Sequence, residues 1–476
     1  DTMFETICNL IPRDPDYSSR SRMLDILKRV LDGTLYDVLP HQFHEERGAG
    51  GEYVPLRNRR PSVRYALSRI VVEDSVALLF SEGHFPAIDC TDAAIRGVFT
   101  DLIKDSRLNQ VMTEAALRGS VGSVAILMRV LRGRLFFGAL ETTYLTPVWD
   151  PEAPDTLVSV SEKYKVTGVQ LLAEGYAIDD PATEYWFMRR WDRLAETWFH
   201  PTPVGIVVPP EIDPSRTVRH DLGFVPMVWV RNLPGPSASG DPNDGACTFR
   251  AAIETQIEID YQLSQAGRGL KYSSDPTLLI KEPATTDSEI AKGAGNALVV
   301  SEKGDAKLLE IGGTASAAVL DYVRVLREMA LESVHGNRAS ADRLTAAQSG
   351  RALELMNQGL ISLADTLRVS YGEGALLALA RMVLQAAQRY RLIVMGEEIP
   401  PLDPAARLSL AWPRWVLPSA DDRMKDAQTL ATLAAARQIS RETAVKSIAA
   451  TYDIEDVPAE LARIATDPPV QFPRTP

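Results

Sequence analysis

Apolar residues recur at helical spacing over 21–40 (Leu24, Leu27, Val30, Leu31) and over 62–80 (Val63, Leu67, Ile70, Val71). Both stretches are therefore predicted helices, joined by a Gly-rich loop. A further helical stretch runs from about Asp92 to Gly119. The period then changes at VAILMRVLRGRLFFGALETTYLTPV, where β-favouring residues flank Arg132–Gly133, the signal of a hairpin. Short strands are expected at 156–173, 183–191, 195–200 and 204–208, separated by Pro, Gly and Asp, so 120–232 forms a β-rich portion and the first half is α+β.

The stretch LPGPSASGDPNDGAC at 233–247 can continue neither a strand nor a helix, which marks it as a linker and a boundary. Beyond it, 248–272 is a helix with Ile253, Ile257, Tyr261 and Leu263 on one side and Glu254, Glu258 and Asp260 on another. Three strands (277–280, 297–301, 307–311) around an acidic helical turn at 287–292 make a module too small to fold robustly alone. Thr314 can cap the next helix, 315–335, in which Val319, Tyr322, Val323, Leu326, Ala330 and Val334 keep a helical period. After the polar break HGNRASADR, a helical pattern from about Leu344 to Tyr390 spans about 65 to 70 Å if continuous, with a bend expected at Tyr371–Gly374. Two short strands around a Gly-Glu turn follow, then helices at 419–436, 440–450 and 457–466 and a Pro-rich tail.

Composition narrows the function. The chain has 476 residues, 45 % of them hydrophobic and 24 % charged, which fits roughly three globular domains. No apolar run approaches the roughly 20 residues of a membrane span, and DTMFETICNL has no secretory pattern, so a soluble, intracellular protein is expected. Three distant cysteines (Cys8, Cys90, Cys247) fit neither a disulfide framework nor a zinc cluster, and of the six histidines only His41 and His44 stand close. No metal or cofactor is expected. A net charge of −12 argues against tight wrapping of nucleic acid but not against DNA passing by.

Enzymatic signatures are absent: there is no Gly-x-Ser-x-Gly elbow, no Walker loop, no zinc-protease helix and no dinucleotide fingerprint, so no catalytic residue is assigned. The informative feature is the order of parts after the β-rich half: a helix, a small module, a second helix, a polar loop and a very long helix. Two helices flanking one module form a stalk that one chain buries poorly. The helices either pack into a bundle within the chain or pack side by side between copies in a ring. In a ring, Glu254, Glu258, Glu328 and Glu332 would face a common lumen.

With this order in place, the chain resembles the portal proteins of tailed bacteriophages, of the type shared by siphophage-like viruses and gene-transfer particles. The likeness rests on several passages. His220-Asp-Leu-Gly-Phe-Val-Pro226 through Asn232 is similar to the segment that closes a portal wing, and Ala252 to Ser264 to the first stem helix. Gln348-Ser-Gly-Arg-Ala-Leu353 is similar to the start of the spine helix, and Gly119 to Ile126 and Arg69 to Phe80 to parts of the wing.

The resemblance implies a portal-type α+β architecture: an α/β wing (1–247 and 393–417), a two-helix stem (248–272 and 314–335), a small α/β clip (273–313), a tunnel loop (336–346), a long spine helix (347–392) and a helical crown (418–476). It implies a homo-oligomeric, dodecameric ring at one vertex of the virion capsid, assembled in the host cytoplasm, through which double-stranded DNA is packaged and ejected. Implied partners are the terminase large subunit, the major capsid and scaffolding proteins and a head–tail adaptor. Gly336, Asn337, Arg338, Asp342 and Arg343 would lie nearest the DNA. Two other readings stand beside this one. One is a soluble enzyme with an unrecognised site in the Trp-rich 185–200 region. The other is a head–tail adaptor ring protein, whose chain would normally be much shorter.

Overall fold

The computed structural model describes residues 2–274, 277–283, 300–309, 314–337, 357–415, 420–449, 452, 454 and 457–466. It is α+β, with 45 % helix and 20 % strand. The chain divides into a large unit (Asp1–Arg338 and Gln358–Pro413) and a small one (Ala339–Asn357 and Arg414–Pro476).

In the large unit, helices α1 (Met3–Leu10), α2 (Ser19–Asp32), α3 (Leu67–Phe80), α4 (Ala93–Asp105) and α5 (Leu108–Gly119) precede the two larger sheets. Ser18 caps α2 and Asp92 caps α4, each accepting from a first-turn N–H. The continuous helix expected over 92–119 is two helices, because Arg107 takes a left-handed backbone (φ 51°). Similarly, residues 62–66 are not helical, and α3 begins only at Leu67.

The hairpin at Arg132–Gly133 joins β2 (Ser123–Leu131) and β3 (Arg134–Glu141), and both turn residues have positive φ (52° and 81°), as a two-residue turn requires. Strand β1 is Ala87–Cys90; the rest are β4 (Leu145–Trp149), β5 (Leu157–Thr167), β6 (Glu184–Trp191), β7 (Ala195–Trp198), β8 (Thr202–Pro203), β9 (Val218–Arg219) and β10 (Met227–Arg231). One sheet runs β4-β5-β6-β7-β9, with β8 also on β6. A second runs β10-β2-β3 and continues into β13 (Ile393–Val394) and β14 (Glu397–Glu398), so the chain returns here late in the sequence. Likewise β15 (Leu408–Ala411) pairs with β1. Trp191, Val160 and Leu145 of the first sheet and Ala125, Met227 and Trp229 of the second share one core.

Three expectations fail here. Residues 168–173 are helix α6, not strand, because Thr167 and Gln170 form a reciprocal capping box at Gly168. Residues 204–208 form no strand; Ile206, Val207 and Val208 are exposed in a loop ahead of Pro209–Pro210. The supposed linker 233–247 is an ordered loop of the large unit: Leu233 bridges Ala246, and Asp244 is buried.

Asp244 explains that order. Arg20 of α2 donates to both its carboxylate oxygens (2.9 and 2.8 Å) while Ser123 and Ser239 hydroxyls donate to them at 2.6 and 2.7 Å. Arg20 also donates to the carbonyls of Thr142 and Leu145, so one buried ion pair ties α2, the second sheet and the loop together. Within the Trp-rich 185–200 region Arg189 lies over the rings of Phe187, Trp191 and Trp198 and pairs with Glu162 at 2.6 Å, while a cavity of about 240 Å³ opens beside Glu196 and Trp198, lined also by Arg129, Arg216 and His220.

The long helical pattern is seen as α9 (Gln358–Leu367), a π-helical stretch, Arg368–Leu376, and α10 (Leu377–Ala386). The expected bend at Tyr371–Gly374 is this change of helix type, and the helix stops at Ala386, short of Tyr390. Tyr371 is fully buried there and donates to Asn232 Oδ1 at 2.9 Å. Trp412 lies so close over Gly372 that a Cβ would come within 2.5 Å of its ring. The small unit holds α11 (Ala420–Ala435), α12 (Arg441–Ala449) and α13 (Val457–Thr466), with Val445 its buried apolar residue among those described.

Replacing Asp244 with Ala leaves the Arg20 guanidinium buried and unpaired, and should lower the unfolding free energy in urea by about 3–5 kcal/mol. The double variant Arg20→Met/Asp244→Leu should recover most of that loss. A single-variant cost near zero would show that the pair does not hold the loop.

Candidate functional site

The two helices read as a stem are α7 (Ile253–Ser274), preceded by a 3-10 turn at Arg250–Ala252, and α8 (Thr314–Ser333). They pack against each other. Between them, β11 (Thr277–Pro283) and β12 (Val300–Leu309) form an antiparallel pair that joins neither of the larger sheets. Of two of the three strands expected in this module, 297–301 and 307–311, the described parts 300–301 and 307–309 fall along one strand, and the turn at 287–292 lies outside the described residues.

Burial of the helices is graded. Near their bases, Ala252 of the 3-10 turn, Ile259 of α7 and Ala330, Leu331 and Val334 share a core with Leu67 and Val71 of α3. Farther along, Val323 and Leu326 still face that core, but Tyr322, Val325 and Met329 are 46, 53 and 59 % exposed. The spacing i, i+3, i+7 places these three on one stripe of α8. On α7, Leu270 is likewise exposed.

The base of α7 carries polar groups spaced four residues apart: Gln256, Asp260 and Ser264, all buried. Asp260 therefore does not share the solvent face with Glu254 and Glu258, contrary to the sequence reading. Helix α3 explains the spacing, because its N-cap is Ala66, which has no side chain able to cap it. Gln256 Oε1 accepts from the backbone N–H and the hydroxyl of Ser68 (2.9 and 2.6 Å). Asp260 accepts from the Tyr65 N–H and the Tyr36 hydroxyl (both 2.6 Å). The Ser264 hydroxyl oxygen accepts from the Val63 N–H at 3.0 Å. Helix α7 thus supplies the acceptor for the Ser68 N–H in the first turn of α3 and for the Tyr65 and Val63 N–H groups of the segment that leads into it. Tyr65 reaches α8 as well, its hydroxyl accepting from Arg327 Nε at 3.0 Å. Burial pushes the Asp260 carboxyl up to about 7, outweighing the Tyr36 and Tyr65 donors and nearby Arg64, which act the other way.

Of the glutamates expected at a lumen, Glu254 is half-buried and accepts from the Phe4 N–H at 3.3 Å, so it is tied to the first turn of α1. Glu258, one turn on, is exposed and accepts from Gln262 at 2.7 Å. Glu328 and Glu332 are exposed on α8 beside the apolar stripe. Of the expected channel-loop residues, Gly336 and Asn337 end α8. His335 turns left-handed (φ 55°) and the Gly336 N–H donates to the Leu331 carbonyl at 2.8 Å, a Schellman-type stop. The Asn337 side chain hydrogen-bonds Asp74 of α3. Arg338, Asp342 and Arg343 lie outside the described residues.

Sequence reasoning missed both the exposed stripe and the capping triad. The triad had a readable signal, a Gln, an Asp and a Ser at i, i+4 and i+8 on an otherwise apolar helix face. The stripe had none, since Tyr322 follows the same helical period as the residues that face the core.

Among the described residues, no three His, Cys, Asp or Glu side chains are grouped to hold a metal ion, and no helix is long and apolar enough to cross a membrane. Cys8, Cys90 and Cys247 are buried free thiols. No protein family and no curated protein matches the sequence. Among solved structures, the chain is similar to one described as the neck of an empty GTA particle computed with C6 symmetry, with 12 % identity and a TM-score of 0.39 over 80 % of this chain and 88 % of that one.

Replacing Gln256 with Leu should strip the acceptor from the buried Ser68 N–H and hydroxyl and cost about 1–3 kcal/mol in chemical unfolding. An unchanged midpoint would mean that α3 does not depend on this outside cap.

Proposed function

We propose that this chain is a portal-type ring subunit of a tailed phage-like particle, with α7 and α8 as its stem, the β11–β12 pair as part of its clip and double-stranded DNA passing through the ring. The observation that carries this reading is the graded burial of the stem. Its base is anchored on α3, while Tyr322, Val325 and Met329 present an apolar stripe that the described part of its own chain leaves open. A second copy rotated about a common axis would bury that stripe, and a heterologous contact of this kind generates a ring when the rotation closes. The order of the sequence passages similar to portal proteins supports the same reading. So does the net charge of −12, because a conduit that carried many fixed Lys–phosphate pairs would hold DNA in place.

On this reading the ring is a dodecamer at one capsid vertex, docking the terminase large subunit and later a head–tail adaptor. The segment after Asn337 is then the loop nearest the DNA, and the small helical unit is the crown.

Electron microscopy of the purified full chain should show rings with a central hole. Particles that stay monomeric at every salt and protein concentration would contradict the reading. The double variant Val325→Glu/Met329→Glu should abolish rings while shifting monomer stability by only about 0.5 kcal/mol, since both side chains are exposed. Intact rings from that variant would remove the stripe from the interface. Deleting 338–346, which spares the helix stop at Gly336 and Asn337, should leave rings intact and reduce packaged DNA. If the rings themselves disappear, those residues are structural and not a channel loop.

A further inference from the structure

At one corner of the large unit the β2–β3 turn, Arg132–Gly133, meets the segment that enters β13. The Ile393 N–H donates to the Gly133 carbonyl at 2.8 Å, and Tyr390, just ahead of it, donates its hydroxyl to the His220 carbonyl at 2.5 Å. Gly223 faces the Arg389 guanidinium. In a chain of net charge −12, these contacts gather the exposed side chains of Arg132, Arg134, Arg219, Arg389 and Arg391. Asp105, Asp221 and Glu398 pair with Arg134, Arg219 and Arg391 at 4.0, 2.9 and 3.7 Å, whereas Arg132 and Arg389 have no acidic partner among the described residues.

The cavity of about 240 Å³ beside Trp198 opens in this same corner, with room for one large side chain. Val130, Trp198, Leu222 and Pro226 give it apolar walls, and Leu131 and Val218, which also line it, are 48 and 51 % exposed, so it reaches the surface. Two guanidinium groups line it as well, and neither is fully used. Arg129 spends Nε and Nη2 on the buried Glu196 carboxylate, at 3.1 and 2.6 Å. Arg216 lies over the Tyr176 ring, spends Nη2 on the Glu174 carbonyl at 3.0 Å and turns Nε toward Asp213 at 3.7 Å. The Nη1 group of each makes no hydrogen bond among the described residues. An apolar socket with unspent charged donors in its wall and arginines around it is complementary to an apolar side chain flanked by carboxylates. A nucleic acid would use the arginines but gain little from a socket walled mainly by aliphatic side chains, where stacking faces are needed.

We propose that this corner is a docking surface for an acidic peptide segment of a partner protein. The segment seats one large apolar side chain in the socket and lays its carboxylates on Arg129 and Arg216 in the wall and on Arg132 and Arg389 outside it. This inference does not rest on the ring reading, because one chain supplies every group of the surface.

Fluorescence anisotropy with the full-length protein tests it, the probe being a fluorescein-labelled peptide with four acidic residues on each side of a single tryptophan. The peptide should bind saturably at low salt and more weakly as salt rises. A peptide with serine in place of the tryptophan should bind about tenfold more weakly or worse, since the seated side chain is the anchor. Arg132→Glu/Arg389→Glu, which breaks no ion pair among the described residues, should weaken binding about tenfold. Val218→Trp, at an exposed position of the two-residue strand β9, should fill the socket and reduce the tryptophan peptide to the level of the serine one. If one variant does not melt as the wild type does, the other decides. No saturable binding up to about 1 mM peptide, equal binding of the two peptides, or binding that a wild-type-like variant leaves unchanged would each overturn the proposal. So would an oligothymidine that binds more tightly and displaces the peptide, which assigns the arginines to nucleic acid, or release of the peptide when the chain self-associates, which assigns the corner to a second copy.

Discussion

Helix α3 cannot finish its own N-terminus, and much of the large unit's arrangement follows from that. Four N–H groups at the start of any helix lack partners within it, and a buried N–H left unpaired costs free energy comparable to a lost hydrogen bond. Ala66 at the cap position has no side-chain acceptor, so the Ser68 N–H is met by Gln256 of α7, about 190 residues away in sequence, and the Tyr65 and Val63 N–H groups just ahead of the helix are met by Asp260 and Ser264. Satisfying Val63, Tyr65 and Ser68 together fixes both the rotation of α7 and its depth, because only one helical face carries Gln256, Asp260 and Ser264. The apolar core of Leu67, Val71, Ile259 and Ala330 then forms around a helix already held in register. Polar groups set the geometry, and apolar burial supplies most of the stabilisation.

The hydrogen-bonded fastening lies at the base of α7, and farther along α8 the described residues leave Tyr322, Val325 and Met329 as an exposed apolar stripe on a helix whose opposite face is packed. The body is built the opposite way, with the Arg20–Asp244 pair and the Arg189 aromatic cluster placing charge inside packed layers and closing each with several hydrogen bonds or ring contacts.

Local signals in the sequence proved readable where one residue type has one physical use. Arg132–Gly133 announced its hairpin, Asp92 marks the start of α4, and the helices of the small unit match their apolar periods to within a residue or two. The errors have distinct causes. Residues 168–173 are apolar enough for a strand, yet the Thr167–Gln170 box outweighs that preference. The 233–247 stretch has a linker's composition, but a single buried Asp244 organises it from a partner more than 220 residues away. Asp260 is set with Glu254 and Glu258 as one acidic side of the helix, and nothing near it in sequence reveals Tyr36 and Tyr65. In each of these last two cases the deciding partner is remote along the chain, beyond the reach of any local rule.

The π-helical stretch Arg368–Leu376 has a bearing on how this protein tolerates change in length. A π turn accommodates more residues per turn than an α-helix, which makes it the structural trace of an inserted residue. Each residue of an α-helix advances the helical phase by about 100°. The wide turn takes up that residue locally, so excising one position there would let the helix return to plain α geometry with the segments on either side still in phase. Winding the same residues as plain α-helix would instead turn everything downstream, and Leu377, Leu379, Val383 and Leu384 would leave the core they now line. The wide turn is therefore a phase-setting joint, at which the loss of one residue is better tolerated than the loss of the wide turn itself.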